Sequence, residues 1–585
     1  MESSIEIPNE IKELENSNEY NSVNFINSIL LMNSNKPTFI SIANKYINRF
    51  IKSKESFEVA LSILKTSDLD YTIYFNSINI LKNKLKYNFG NYCDDKIKIA
   101  ELASIVIDSI DRLNSTNKAY ILETLAHCLA YLFMFGFKCN EMMFEIILNN
   151  FSQKISLNSS SNNSIIVTNY YICYSSFLYN ITQILYEDSI VVDKRHMKEY
   201  SNVLPNLSNV VLDSINSIIQ NQNLINTNDS NAFLSNILLN CINVWMEFGF
   251  PDKCLENMCL PEYKSILDFI FSINQKNLIQ HKIAICQFIS QNHIEPLTNL
   301  IVERVVHLKE YVNEAINSKN GDTINFFIDI YETLCISKMN LILNFKAYEI
   351  FEIYLNLTKI CDKTRIMYSC DFWSLNFIPV ILSSNEYSKC PELLSIIDSA
   401  IRSIISKAKW SNDIFARLNT EKQSNIKDEE YDDELRVRSA IKEFLIGISR
   451  NLFSFKYLYT TYFQKEIINI IGKLKDDLSN VKSWGIFEAL IYCIYCFSDT
   501  AQKSDIPLIE EILLTAIEVP VDFSQIYRVV TDLIDNLVNI LSKNTDLLKT
   551  SFQYLAKGLD NDLTRSKFIL LRILYNQLVY FNKIK

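Results

Sequence analysis

The chain has 585 residues, 48% of them hydrophobic and 21% charged, with a net charge of −10 and only 8 Gly and 10 Pro. It exceeds the size at which one compact core stops growing, so it folds as several domains or as an elongated stack. The acid excess disfavours nonspecific nucleic-acid binding and suits a basic partner, while the isolated glycines leave no phosphate-cradling loop and no G-x-S-x-G elbow.

Gly and Pro end helices, so their scarcity predicts helix joined to helix by short polar turns. Residues 1–20 are polar, lack a cationic start before an apolar core, and are expected to be a flexible N-terminus rather than a signal peptide. From Asn21 the apolar residues recur at spacings of three, four and seven: Phe25, Ile26, Ile29 and Leu30, then Leu61 and Leu64, then Leu122, Leu125, Leu129 and Leu132. Residues 21–150 thus form a first array of helix pairs. The Ser/Asn-rich stretch 151–168 is expected to be an exposed loop, as is 221–231, and 169–585 continues the helical array. No region alternates with period two. A single helix pair cannot bury its apolar face, whereas stacked pairs can, so the predicted fold is an all-α, HEAT/armadillo-like solenoid, a right-handed superhelix of antiparallel pairs.

The 14 Cys lie in apolar helical surroundings without a framework of spacings, which predicts reduced core thiols and a cytosolic or nuclear compartment. Cys493-x-x-Cys496 has no second half-site, and the five His make no H-E-x-x-H or triad pattern. No enzyme activity, cofactor or metal is expected. The longest apolar runs, such as Ala489 to Phe497, fall short of the roughly 20 residues of a membrane span.

Several segments carry a family resemblance. Tyr74-Phe75 with Asn79-Ile-Leu-Lys-Asn-Lys-Leu85 resembles the F-A-A-Q-T-L-K-x-K-I helix of the importin-β superfamily. Leu239 to Gly249 is similar to L-x-C-x-x-x-W-x-x-L-G of the transportin-SR and importin-thirteen branch, with Phe248 for Leu. Asp371-Phe-Trp-Ser-Leu375 resembles that branch's N-F-W-x-L, Trp484 with Glu488-Ala489 its W-x-x-x-E-A-x-L, and Asn544 to Leu559 its N-P-x-x-L-x-x-x-L-x-Y-L-x-x-G-L. Between them, Asp428-Glu-Glu-Tyr-Asp-Asp-Glu434 leads into Arg438-x-x-Ile441-x-Glu443-x-Leu445, similar to an acidic loop followed by F-R-x-x-I-x-D-x-L. The chain ends at Lys585, so the family's C-terminal repeats, with their Arg-rich helix for phosphorylated arginine-serine cargo, are expected to be missing.

The resemblance implies a karyopherin, a nuclear transport receptor that imports protein cargo through the nuclear pore under control of Ran-GTP and shuttles between nucleus and cytoplasm. Its partners would be Ran-GTP, a basic protein cargo and the FG repeats of nucleoporins, with no direct nucleic acid and no membrane insertion. By the same resemblance Lys82 and Lys84 are candidate Ran contacts, and Asp428, Glu429, Glu430, Asp432, Asp433 and Glu434 form an acidic loop for Ran or cargo. An ordinary solvated helix end is the competing reading of the two lysines. Trp245, Trp373 and Trp484 read as packing between repeats, and Arg438 with Glu443 as the fixing of a helix end. An exportin and a static HEAT scaffold are the competing readings.

Overall fold

The computed structural model describes residues 14, 17–34, 36–66, 69–92, 95–113, 119–136, 143–160, 164–187, 194–221, 228–247, 250–420, 429–476, 480–517, 524–541 and 544–557. These residues are helical or form turns between helices, with no β-strand among them. The chain divides after Arg304 into two compact units.

The first unit contains α1 (Ser22–Met32), α2 (Pro37–Lys52), α3 (Glu55–Leu64), α4 (Tyr71–Tyr92), α5 (Lys96–Asp108), α6 (Ala119–Gly136) and α7 (Met143–Ser160). It continues with α8 (Ser164–Glu187), α9 (Lys194–Asn221), α10 (Asn228–Glu247), α11 (Asp252–Asn257), α12 (Lys264–Phe271) and α13 (Leu278–Gln291); α14 (Glu295–His307) carries the division. Helices α4, α6, α8, α10 and α13 pack side by side in sequence as one layer. In a second layer α3 packs on α5 and α5 on α7, and α9 on α12. Each helix therefore meets its sequence neighbours and the next pair, which is the arrangement of an α-solenoid. Helix α8 is buried almost all round, with Tyr170, Tyr174, Phe177 and Ile181 inside, and each such side chain contributes about 1.5–3 kcal/mol.

The second unit contains α15 (Lys309–Ser318), α16 (Gly321–Ser337), α17 (Met339–Asn344), α18 (Glu349–Ile360), α19 (Lys363–Asp371), a π-helical turn at Phe372–Phe377, and α20 (Ile378–Ser383). Then follow α21 (Pro391–Ser406), α22 (Asn412–Thr420), α23 (Glu429–Asn451), α24 (Phe455–Leu458), a second π turn at Tyr459–Phe463, and α25 (Gln464–Asp476). The last described helices are α26 (Val481–Phe497), α27 (Ile506–Ile517), α28 (Ser524–Leu541) and α29 (Thr545–Lys557). Here α19, α23, α26 and α28 form the continuous layer.

The polar residues that break the apolar pattern start the helices. Side chains of Asn21, Asp95, Asn320, Asp362, Ser454 and Asn480 each accept a first-turn backbone N–H, and Pro37 and Pro391 stand in first turns where a missing N–H costs nothing. Side chains also reach across to backbone carbonyls of other elements: Asn169 Nδ2 to Leu113 O at 2.9 Å, Trp245 Nε1 to Leu178 O at 3.0 Å, and Tyr527 OH to Leu555 O at 3.0 Å.

Three expectations need correction. The stretch 151–168 is not a loop: α7 runs to Ser160 and α8 starts at Ser164. Ile155, Ile166 and Val167 keep the helical spacing beneath the Ser/Asn composition, and Val167 is buried. Likewise residues 228–231 belong to α10. Finally, the helical run Arg365–Ser383 is long and apolar enough to cross a membrane, although no uninterrupted apolar stretch marked it. Half of it is buried within the protein, where Phe372, Trp373 and Phe377 pack with Tyr354 and Phe351.

Candidate functional site

Lys82 and Lys84 lie on α4, two residues and so about 200° apart around the helix. They do not form one patch. Lys84 is buried, and its ammonium donates to Ser53 O at 2.8 Å, which holds α4 to the end of α2. Burial pushes its pKa below the ordinary lysine value, against the opposing pull of Glu55. Its charge is thus spent inside the protein, contrary to a solvated contact. Lys82 is only half-buried and remains reachable.

The acidic run is the opening of α23 rather than a loop, with Asp428 outside the described residues. Carboxylates in a first turn meet the positive end of the helix dipole and its unpaired N–H groups, so an acidic run that reads as a solvated loop makes a good helix start. Glu429, Glu430 and Asp432 are exposed, and Asp433 pairs with Arg436 at 3.5 Å. Glu434 points inward. It accepts from Lys363 Nζ at 3.0 Å and from the Ser411 N–H at 3.0 Å, joining α19 and the turn before α22 to α23. Glu430 supports the same lysine from 3.6 Å.

One turn further, Arg438 is 3% exposed and grips Glu488, itself fully buried on α26, with two parallel bonds of 2.9 Å. Its Nη1 also donates to Ala408 O at 2.9 Å. The guanidinium lies 4.5 Å from the centre of the Trp410 ring and 3.8 Å from that of Tyr492, and Gln525 Nε2 donates to Glu488 Oε1 at 3.1 Å, the oxygen that also accepts from Arg438 Nη2. Burial opposes the positive charge, and Glu488 more than restores it. The expected partner, Glu443, is exposed and plays no part. Sequence reasoning missed Glu488; the one signal for it was its setting, a lone carboxylate among Trp484, Phe487, Ala489 and Leu490, since a buried charge requires a partner. Cys493 and Cys496 lie next to this pair; burial pushes the Cys496 thiol up to about 12 and Cys493 well above its ordinary value, so neither is a nucleophile at neutral pH.

The same elements border a cleft of about 330 Å³, walled by the turn Cys361 to Lys363, by Ser406 to Trp410 and by the inward face of Glu434 to Arg438. Trp410 is stacked on Tyr431 at 5.6 Å between the cleft and α23. The three tryptophans read as packing residues are all buried: Trp245 and Trp373 fully, Trp484 at 2% exposure.

No protein-family model matches the chain, and no curated protein matches it in sequence. Among solved structures, the chain is similar to "the exportin Cse1 in its cargo-free, cytoplasmic state" at 12% identity and a TM-score of 0.33, over 94% of this chain and 70% of that one. It is also similar to a chain from "a conserved phosphorylation switch controls the interaction between cadherin and beta-catenin", at 12% identity and a TM-score of 0.27, over 94% of this chain and 99% of that one. At such scores neither likeness assigns the chain to a family.

Proposed function

We propose that the chain is a karyopherin-type nuclear transport receptor of the import class, with Ran in its GTP form and a basic protein cargo as its ligands. One observation carries the reading: two segments that resemble the family independently, around Arg438 and around Glu488, are joined by a buried bidentate ion pair. Chance matches in a long Ile- and Asn-rich chain have no reason to meet as charge and countercharge across 50 residues. The α-solenoid supports the reading further, because stacked pairs flex by small rotations and let one ligand alter the surface another meets. The net charge of −10 favours basic ligands, and the exposed Glu429 and Asp432 stand ready for one. Shuttling through the pore on FG repeats, and the transportin-SR and importin-thirteen branch, belong to this proposal on the motifs alone.

The test is a pull-down of the full chain with Ran loaded with GTP or with GDP. Binding to the GTP form only is expected, and Lys82→Glu should weaken it, more so at low salt. Lys84→Glu serves as a contrast, since it should lower the melting temperature through the lost Ser53 contact. Equal binding of both nucleotide states, or none, overturns the receptor reading in favour of a static scaffold. Whether GTP-loaded Ran releases or recruits a basic cargo then separates import from export.

A further inference from the structure

Lysines at the cleft of the second unit are unevenly committed. Lys363 is held by Glu434 and Glu430, and Arg438 by Glu488. Both oxygens of Asp362 are filled, by the Arg365 N–H at 2.8 Å and the Asn325 amide at 3.1 Å. Lys407 and Lys409 remain. Among the described residues the Lys407 ammonium has no hydrogen bond or ion pair, and that of Lys409 reaches only the neutral Asn412 Oδ1 at 3.1 Å. A third cation, Lys482, stands near Lys409 and has no acidic partner among the described residues; burial, with that repulsion added, holds the Lys409 pKa below its ordinary value. In a chain of net charge −10, two lysines of one cleft wall thus have no carboxylate partner among the described residues, and a third lies beside Lys409.

Two further features belong to the same place. Trp410 lines the cleft, is 3% exposed, and its indole N–H has no acceptor among the described residues. A buried donor left without an acceptor is unfavourable, and a bound acceptor would satisfy it. Gly485 on α26 lies against the Lys409 stem: a Cβ there would stand 3.3 Å from Lys409 Cε, so the glycine leaves room for the lysine to lie where it does.

We propose that this cleft is an anion site that takes a side-chain carboxylate from an acidic segment of a partner protein, with Lys407 and Lys409 as the charge partners and Lys482 adding to the field. A carboxylate fits better than a phosphate. Phosphate recognition favours the planar fork of an arginine, and the only arginine of the cleft wall, Arg438, has given its fork to Glu488. Asp362 and Glu434 also line the cleft, which disfavours a group carrying more than one negative charge beside the lysines. The proposal does not rest on the transport reading; a failed Ran pull-down leaves it standing.

The experiment is fluorescence anisotropy of a labelled, C-terminally amidated hexaglutamate peptide with the full chain at about 0.15 M ionic strength. Amidation leaves side-chain carboxylates as the peptide's acids. Saturable binding is expected, weakened about tenfold or more in the Lys407→Gln/Lys409→Gln double variant and unchanged in Lys465→Glu, an exposed position on α25. Circular dichroism confirms folding. Should the double variant unfold, Lys407→Gln alone carries the test, because that side chain has no partner to lose. Wild-type affinity in the variant or absence of saturable binding overturns the proposal. Displacement by inorganic phosphate at the peptide's own concentration overturns the carboxylate assignment.

Discussion

Arg438 is the residue on which the second unit turns, because it satisfies Glu488, caps the Ala408 carbonyl and fills the gap between two aromatic rings at once. Removing either charge leaves the other buried and alone, at a cost of about 3–5 kcal/mol. Replacing both by apolar residues of similar size removes that penalty. We therefore expect Arg438→Met and Glu488→Leu each to lower the urea midpoint sharply, and the double variant to recover much of the loss. A double variant as unstable as the sum of the singles would show that the pair's partners, Ala408, Gln525 and Tyr492, matter more than the pair. The identity of Arg438 as a structural residue was legible from the sequence. Its partner was not, because Glu443 lies one helical turn and a half away and Glu488 lies across the stack, and only burial chooses between them.

At the scale of the element, scarce glycine leaves other residues to end helices. Lys319 closes α15 with φ of 54°, donating to Ala315 O and Ile316 O, and Lys346 follows α17 in the same left-handed conformation. A side chain there costs about 1–2 kcal/mol, part of which glycine returns through its looser unfolded state. Lys319→Gly and Lys346→Gly are each expected to raise stability by about 0.5 kcal/mol or more, measurable as a higher melting temperature; a lower one would mean that the lysine side chains make stabilising contacts. Proline shapes the opposite case. Pro379 cannot donate to the carbonyl four residues before it, and the helix widens into a π turn at Phe372–Phe377, where the Ile378 N–H reaches back to Trp373 O. Helix starts and ends were less legible than helices themselves. Asn and Ser tracts that look like loops become caps and helix ends, and an acidic run becomes a first turn, because composition reports solvent exposure rather than backbone conformation.

Across the whole molecule the all-α character followed from the scarcity of Gly and Pro and from period 3.6, and both are local properties. The division after Arg304 was not legible: α14 has an amphipathic pattern like its neighbours, and the boundary of a compact unit leaves no mark on a pattern set by each helix alone. The anion cleft was hidden for the same reason, since Lys363 comes from one segment and Lys407 and Lys409 from another, and each looks like an ordinary solvated charge by itself.

The side-chain bonds that reach from one pair to the next, such as Trp245 to the Leu178 carbonyl and Asn169 to the Leu113 carbonyl, have a mechanical consequence. Each fastens a helix only to its immediate neighbours, so tension applied to the ends of either unit loads these fastenings one after another. A chain pulled in an optical trap should lengthen in a staircase of small, separate slips, each pair giving way as its last rivet fails, and should reel itself back in by the same steps when the force is relaxed. A single abrupt rip spanning a whole unit would mean that the pairs are welded into one block rather than hinged in series.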